Sequence, residues 1–396
     1  METVANNEYE TIVIGMGAMG SATLYQLAKK KIKCLGIDQF APPHNFGSSH
    51  GDSRITRQAI GEGAAYVAFS LRSYEIFKEL EKETKKTLLK ENGGLILSTK
   101  SEKPEYMDDF FGTTVKTAQD NNIKYELLDS KALRTRFPQF GVKDDEYGYY
   151  EPSAGYLIPE ECIAAQLEMA KKYGATLKCN EKFLCFEDLK SGGVLVRTDK
   201  GTYKAKNMII SAGAWLPDLL KGGGFSKLFE VERVVLTWWQ VKGSEDQKMY
   251  AADKMPIFIW ETGPWLYGFP ETHPGSGIKI GCHVGQLPTT VEAIDRNVSE
   301  EEKQKIYSEI VEPYFPGLSN KCVKAAVCMY TCTPDRHFVI DWHPEYPDKV
   351  LLASPCSGHG FKHSAAVGEA LAEMVTVGKS KLDISSFSLK RFAGKL

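Results

Sequence analysis

The chain has no long hydrophobic run. Its apolar stretches, such as Val350-Leu351-Leu352-Ala353 and Ala325–Tyr330, fall far short of the ~18 residues that cross a bilayer as a helix. A membrane partner is therefore not expected. No sign of charge dominates either: 49 Lys plus Arg stand against 51 Asp plus Glu, a net −2. That balance removes any general attraction to nucleic acid and leaves only local basic pockets. The nine cysteines form no CxxC pair and keep no zinc-type spacing with histidine. A metal site is thus not expected, and the thiols suit a reducing cytosol. Internal repeats and low-complexity tracts are absent. The first residues are polar and acidic rather than signal-like, so the expected location is cytoplasmic. The final Gly394-Lys395-Leu396 only loosely resembles a peroxisomal address. At 396 residues the chain exceeds one small core and suits two domains, or one domain with a large insertion.

What is present is organised around residues 8–39. Glu10–Ile14 is apolar and β-branched, Gly15-Met16-Gly17-Ala18-Met19-Gly20 follows at once, Ser21–Lys30 has helical periodicity, and Lys33–Ile37 is a return strand ending at Asp38. Each glycine has a reason. Gly15 makes the tight turn, Gly17 lets backbone approach a pyrophosphate, and Gly20 lets the helix pack close to the strand. The helix N-terminus attracts phosphate, and an acid about 20 residues on can hold a ribose hydroxyl, which favours FAD or NAD over NADP.

Further along, a turn-rich loop spans 41–54, and helices are expected over 64–86, 159–173, 300–311 and 363–377. Short buried strands are expected at 93–97, 206–213 and 349–353. Between 231 and 283 four strands succeed one another without helices, the pattern of an antiparallel sheet and hence of a second domain. The fold class read from this is α/β: a Rossmann-type nucleotide-binding domain formed by 1–88, 150–225 and 320–396. Interleaved with it is an antiparallel-sheet, α+β substrate domain formed by 89–149 and 226–319. The ligand belongs at their junction.

Several residues could carry chemistry, each with a plainer reading beside it. Alternation over Gly277–His283 puts Lys279, Gly281 and His283 on one strand face. Lys279 is then either a solvated edge lysine or a costly cation with a task, and His283 either structural or functional. Cys328 sits in an apolar run and reads by itself as core. Lys362 precedes a helix after two glycines, as an anion ligand or a solvated loop residue. Arg54 and Arg57 could grip a carboxylate, or pair with Asp52 or Glu62.

Together these residues fall in words that match a family. The chain resembles, over nearly its whole length, the monomeric sarcosine oxidase and N-methyltryptophan oxidase family, which is related to pipecolate oxidase. The matching words are Gly15–Gly20, Pro42–His44, Gly47–Arg54, Gly61–Gly63, Glu151-Pro152, Tyr267–Pro270, Ile278–Gly281 with His283, Cys328–Tyr330 and Ser357–Lys362. The resemblance implies an FAD-dependent amine oxidase with flavin attached through its 8α-methyl to Cys328. Besides Gly15, Gly17, Gly20 and Asp38, it implies that Ser48, His50, Ser53, Arg54, Gly358, Gly360 and Lys362 contact the cofactor. Lys279 would activate oxygen, with His50 and Arg54 against the flavin. Arg57 and Lys362 would hold the substrate carboxylate, and Tyr267 and His283 would line the amine pocket. The implied partners are a small secondary amino acid and O2, and the implied state is a monomer. Departures fall at Ile259, or its neighbour Trp260, where the family has methionine, and at Pro355-Cys356 and His363. They bear on substrate identity more than on reaction type.

Overall fold

A computed structural model describes residues 7–100, 109–220, 224–243, 247–283 and 286–393 of the chain; the Gly394-Lys395-Leu396 tail lies outside them. Strand Glu8–Ile14 is central to an eight-stranded sheet, flanked in parallel by Cys34–Ile37 and Thr202–Ile210. Thr176–Lys178 and Val350–Ser354 extend the parallel order outward. The strand is buried on both faces. Val13 packs among Leu24, Leu27 and Val367, while Ile12 and Ile14 pack among Leu216, Phe225 and Leu352, as the two-residue side-chain period requires. Helix Ala18–Lys29 lies against helices Pro159–Lys172 and Ser364–Val377. In the first of these partners Pro159 opens the helix, Glu160 and Glu161 occupy its first turn, and Lys171 and Lys172 its last, each complementing the backbone dipole.

The second sheet has nine strands. Glu230–Val241, Ile278–Cys282, Leu266–Phe269 and Ile257–Trp260 run antiparallel in that spatial order, followed by Gly94–Thr99, Glu146–Glu151 and Glu126–Asp129. Only the pairing of Ile257–Trp260 with Gly94–Thr99 is parallel. Its outer face carries an aromatic core of Trp239, Tyr250, Phe258, Trp260 and Phe315 with Ile278 and Ile280. Its inner face is turned to the nucleotide half.

One expected boundary moves. Strand Leu318–Cys332 pairs antiparallel with Glu230–Val241 along its length, so the second sheet continues past residue 320 and claims Cys328 and Tyr330. The reason is the length of Glu230–Val241, whose free edge a strand of matching length covers. The polar stretch after residue 98 also contributes regular structure, helices Phe110–Asp120 and Ser130–Arg136. The helix expected over 300–311 ends as α at Ile306 and continues as one π turn, Tyr307–Val311.

Candidate active site

A cavity of about 290 Å³ runs from the glycine turn to Lys362, lined from both sheets. At its nucleotide end the three glycines play separate parts. Gly15 has φ +87°, and a Cβ on Gly20 would stand 1.8 Å from the Gly15 carbonyl oxygen, whereas a Cβ on Gly17 would meet nothing within 4 Å. Gly17 is thus small toward open cavity rather than toward protein. The helix that follows has no side-chain cap, which leaves its first N–H groups for an anion. Asp38 accepts the Met16 N–H at 2.7 Å and the Phe40 N–H at 2.8 Å. Both carboxylate oxygens are thereby oriented, and each keeps acceptor capacity for a hydroxyl.

Along the middle of the cavity the loop 48–54 is drawn against the second sheet. Arg54 donates to the Ser48 and Ser53 carbonyls, each at 2.8 Å, and reaches the Cys328 sulfur at 3.6 Å. Cys328 is buried and faces the cavity from strand Leu318–Cys332. Ser48 Oγ and His50 Nε2 are buried with no hydrogen-bond partner among the described residues, the situation of groups that a bound polar ligand completes. Burial, reinforced by the charges of Arg54 and Lys279, pushes the His50 imidazole down to about 3, so it is neutral. These features, with the uncapped helix and the space at Gly17, fit the dinucleotide expected from the sequence. Ser357–Lys362 closes the cavity. A Cβ on Gly360 would collide with the Pro355 carbonyl, and one on Gly358 with His283 and Tyr330.

Lys279 is not an edge lysine. It is 2% exposed in an interior strand, donating to the carbonyls of Gly51 at 2.7 Å and Ser53 at 2.8 Å. Phe269 and Trp238 lie 4.7 and 5.4 Å beneath its ammonium. Burial, and then the Arg54 charge, push its pKa well down, against the pull of Cys328, Asp52 and Glu160.

At the far end Arg57 and Lys362 converge, as expected, but on Glu62. Lys362 donates to one Glu62 oxygen at 2.8 Å and Arg57 pairs with the other. All three side chains are buried. Burial alone would raise the Glu62 carboxyl; Arg57, then Lys362 and His359, outweigh it and hold the group well below the usual range. Burial brings Lys362 down to about 8 despite Glu62. Two cations thus share one carboxylate, and the trio keeps a net positive charge.

The walls beside this trio are aromatic. Phe110 lies 4.9 Å from the Arg57 guanidinium and 5.4 Å edge-on from Trp265. The Tyr330 hydroxyl donates to the Tyr267 hydroxyl at 3.3 Å. Burial raises Tyr267 to about 12 and lowers His283 to about 4, so both are neutral. Ile259, not Trp260, faces the cavity: Trp260 points into the outer core and donates to Glu146 at 2.8 Å. Phe110 was not foreseen; the Phe110-Phe111 pair within a polar stretch is the signal that marks it.

The family model of the FAD dependent oxidoreductases termed DAO matches residues 10–374. Monomeric sarcosine oxidase of Bacillus sp. (strain NS-129) is 40% identical over 398 residues, 98% of each chain. N-methyl-L-tryptophan oxidase of Escherichia coli (strain K12 / DH10B) is 31% identical over 392 residues, covering 97% of this chain and 100% of that one. Among solved structures, L-proline dehydrogenase from P. horikoshii superposes with a TM-score of 0.82 at 23% identity, over 98% and 99% of the two chains. NikD, an unusual amino acid oxidase essential for nikkomycin biosynthesis, does so with a TM-score of 0.81 at 20% identity, over 97% and 98%. At such identities these two likenesses concern the fold.

Proposed function

The chain belongs to the DAO family of FAD dependent oxidoreductases, and from that premise we propose that it oxidises the C–N bond of a secondary amino acid, N-methyl or cyclic, with O2 as electron acceptor. The products are an imine, hydrolysed in water, and hydrogen peroxide. One observation carries the reading: the cavity that begins at a dinucleotide turn ends at two buried cations sharing a single carboxylate. Their surplus positive charge selects an anionic group, and the Arg57 Nε–H, buried without a partner among the described residues, is a donor left to orient it.

FAD, when bound, supplies the two-electron oxidising chemistry. Gly15, Gly17, Gly20 and Asp38 would hold its dinucleotide, with Ser48, His50, Ser53, Arg54, Gly358 and Gly360 around its ring system. Cys328 would be its point of covalent attachment, through the sulfur. Arg57 and Lys362 bind the substrate carboxylate, Ile259 and Tyr267 shape the pocket, and the neutral His283 ring lines its amine side. Lys279 places a fixed cation where negative charge develops on dioxygen, a preorganised arrangement that lowers the barrier to its reduction. The enzyme acts as a monomer. A panel of secondary amino acids scored for peroxide release tests the activity, and a panel with no release on any member rejects it. Acid-precipitated wild-type protein should stay yellow while Cys328→Ser releases its colour; a colourless wild-type pellet rejects the attachment.

A further inference from the structure

Lys279 is held by a clip rather than by a counter-ion. Residues 51–53 present carbonyls to it on one side and N–H groups to Glu160 on the other. The Glu160 carboxylate accepts the Gly51 N–H at 2.7 Å and the Asp52 N–H at 3.2 Å through one oxygen. The clip cannot hold this shape by its own preference, because Gly51 and Asp52 both have positive φ, +97° and +70°. For Asp52 that conformation is uncommon and needs outside support. Support comes from Glu160 and, on the solvent side, from Lys324, which donates to the Asp52 carboxylate at 2.6 Å and lies 4.6 Å over Trp238. The Gly51 carbonyl also accepts the Ser53 N–H at 2.8 Å, so the clip closes on itself.

We propose that Glu160, 119 residues before Lys279 in sequence and on a helix of the nucleotide half, is the positioning residue for Lys279: it fixes the carbonyls that hold the ammonium and supplies compensating charge across the clip. The charged and titratable groups around Lys279 are Arg54 and His50 on the loop, Cys328 on the strand beyond Glu230–Val241, Asp52 and Glu160 across the clip, and Lys324 behind Asp52. Of these the two carboxylates favour the ammonium and Arg54 opposes it. The consequence rests on the reading that Lys279 assists oxygen reduction, yet the placement can be tested without it.

The test uses Glu160→Gln, which keeps an acceptor and removes the charge, and Asp52→Asn, which leaves Glu160 in place. In flavin-free protein labelled with ¹⁵N-lysine, the Lys279 signal is assigned by its loss in Lys279→Met and titrated. Glu160→Gln should lower its midpoint by about one unit, the effect of removing a nearby opposite charge, with a smaller shift for Asp52→Asn. In flavin-loaded protein the same variant should bleach anaerobically at the wild-type rate and reoxidise roughly tenfold more slowly, with the decline in rate moved to lower pH. An unchanged midpoint in Glu160→Gln overturns the proposal. Where Glu160→Gln does not fold, Glu160→Asp, which draws the carboxylate back from the clip, takes its place, and an unchanged midpoint there does so. A shifted midpoint with normal reoxidation in Lys279→Met upholds the placement and rejects the oxygen role beneath it.

Discussion

The two ends of the cavity are made by different means. The nucleotide end is built from backbone: three glycines, an uncapped helix and one acid within 31 consecutive residues, Glu8–Asp38. The cation end is built from side chains that are distant in sequence, Arg57 and Glu62 on one segment and Lys362 300 positions beyond Glu62; Lys279, buried in the second sheet, likewise depends on remote partners. The backbone end leaves space at Gly17 and open N–H groups at the helix start, and within its 31 residues only one buried charge, that of Asp38, has to be supported. Side-chain charge sites are expensive to bury and stay in place only through partners, which makes each of their residues depend on several others.

The sharpest break of that contrast is Lys279→Met. Reoxidation by O2 should slow by about a thousandfold, roughly 4 kcal/mol of barrier, while anaerobic bleaching persists; stopped-flow absorbance reads both, and a normal oxygen rate removes Lys279 from the chemistry. Next in size is Glu62→Gln, which leaves two buried cations without their shared anion and should cost about 3 kcal/mol of stability at neutral pH. The sign follows from its depressed carboxyl. The contribution is complete above the unfolded value of about 4.3 and is lost as pH falls through the lower folded value, so denaturant curves of wild type and variant should converge in acid. Curves that stay equally far apart at every pH would show that the carboxylate charge is irrelevant.

Smaller effects test the backbone end. Gly17→Ala should leave the melting temperature of the flavin-free chain unchanged, since the added methyl meets nothing, yet weaken FAD retention by about tenfold or more; destabilisation of the flavin-free chain would mean that Gly17 serves the fold instead. The smallest expected effect is a pH dependence. With Lys362 at about 8, affinity for a simple carboxylate inhibitor should fall several-fold as pH rises from about 7 to about 9. Binding titrations that stay flat over that window would remove Lys362 as a ligand.

How much of this was legible in the sequence follows the same contrast. The glycine turn was readable because all its parts are contiguous, and its helix and strands stand within a few residues of where periodicity puts them. The face of Lys279 was readable from alternation. Its burial was not, because that depends on Glu230–Val241 and Leu266–Phe269 lying on either side of it. Glu62 was visible as one possible partner of Arg57, but its joint hold on Lys362 is created only by folding. Cys328 looked like ordinary core, and by exposure it is; what distinguishes it is the cavity in front of it. The choice between Ile259 and Trp260 needed the strand's orientation, which the outer aromatic core decides.

The parallel pairing of Val350–Ser354 with Thr202–Ile210 has a consequence for biosynthesis. The glycine turn emerges early from the ribosome, but the strand and helix that complete its layer follow some 140 residues after Ile210, roughly 7 to 28 seconds later at about 5–20 residues per second. Throughout that interval the nascent cleft lacks the strand beside Thr202–Ile210 and the Ser357–Lys362 loop that closes it. Cofactor capture therefore belongs after translation of the last helix, and truncation there should yield an apoprotein however intact its first forty residues are.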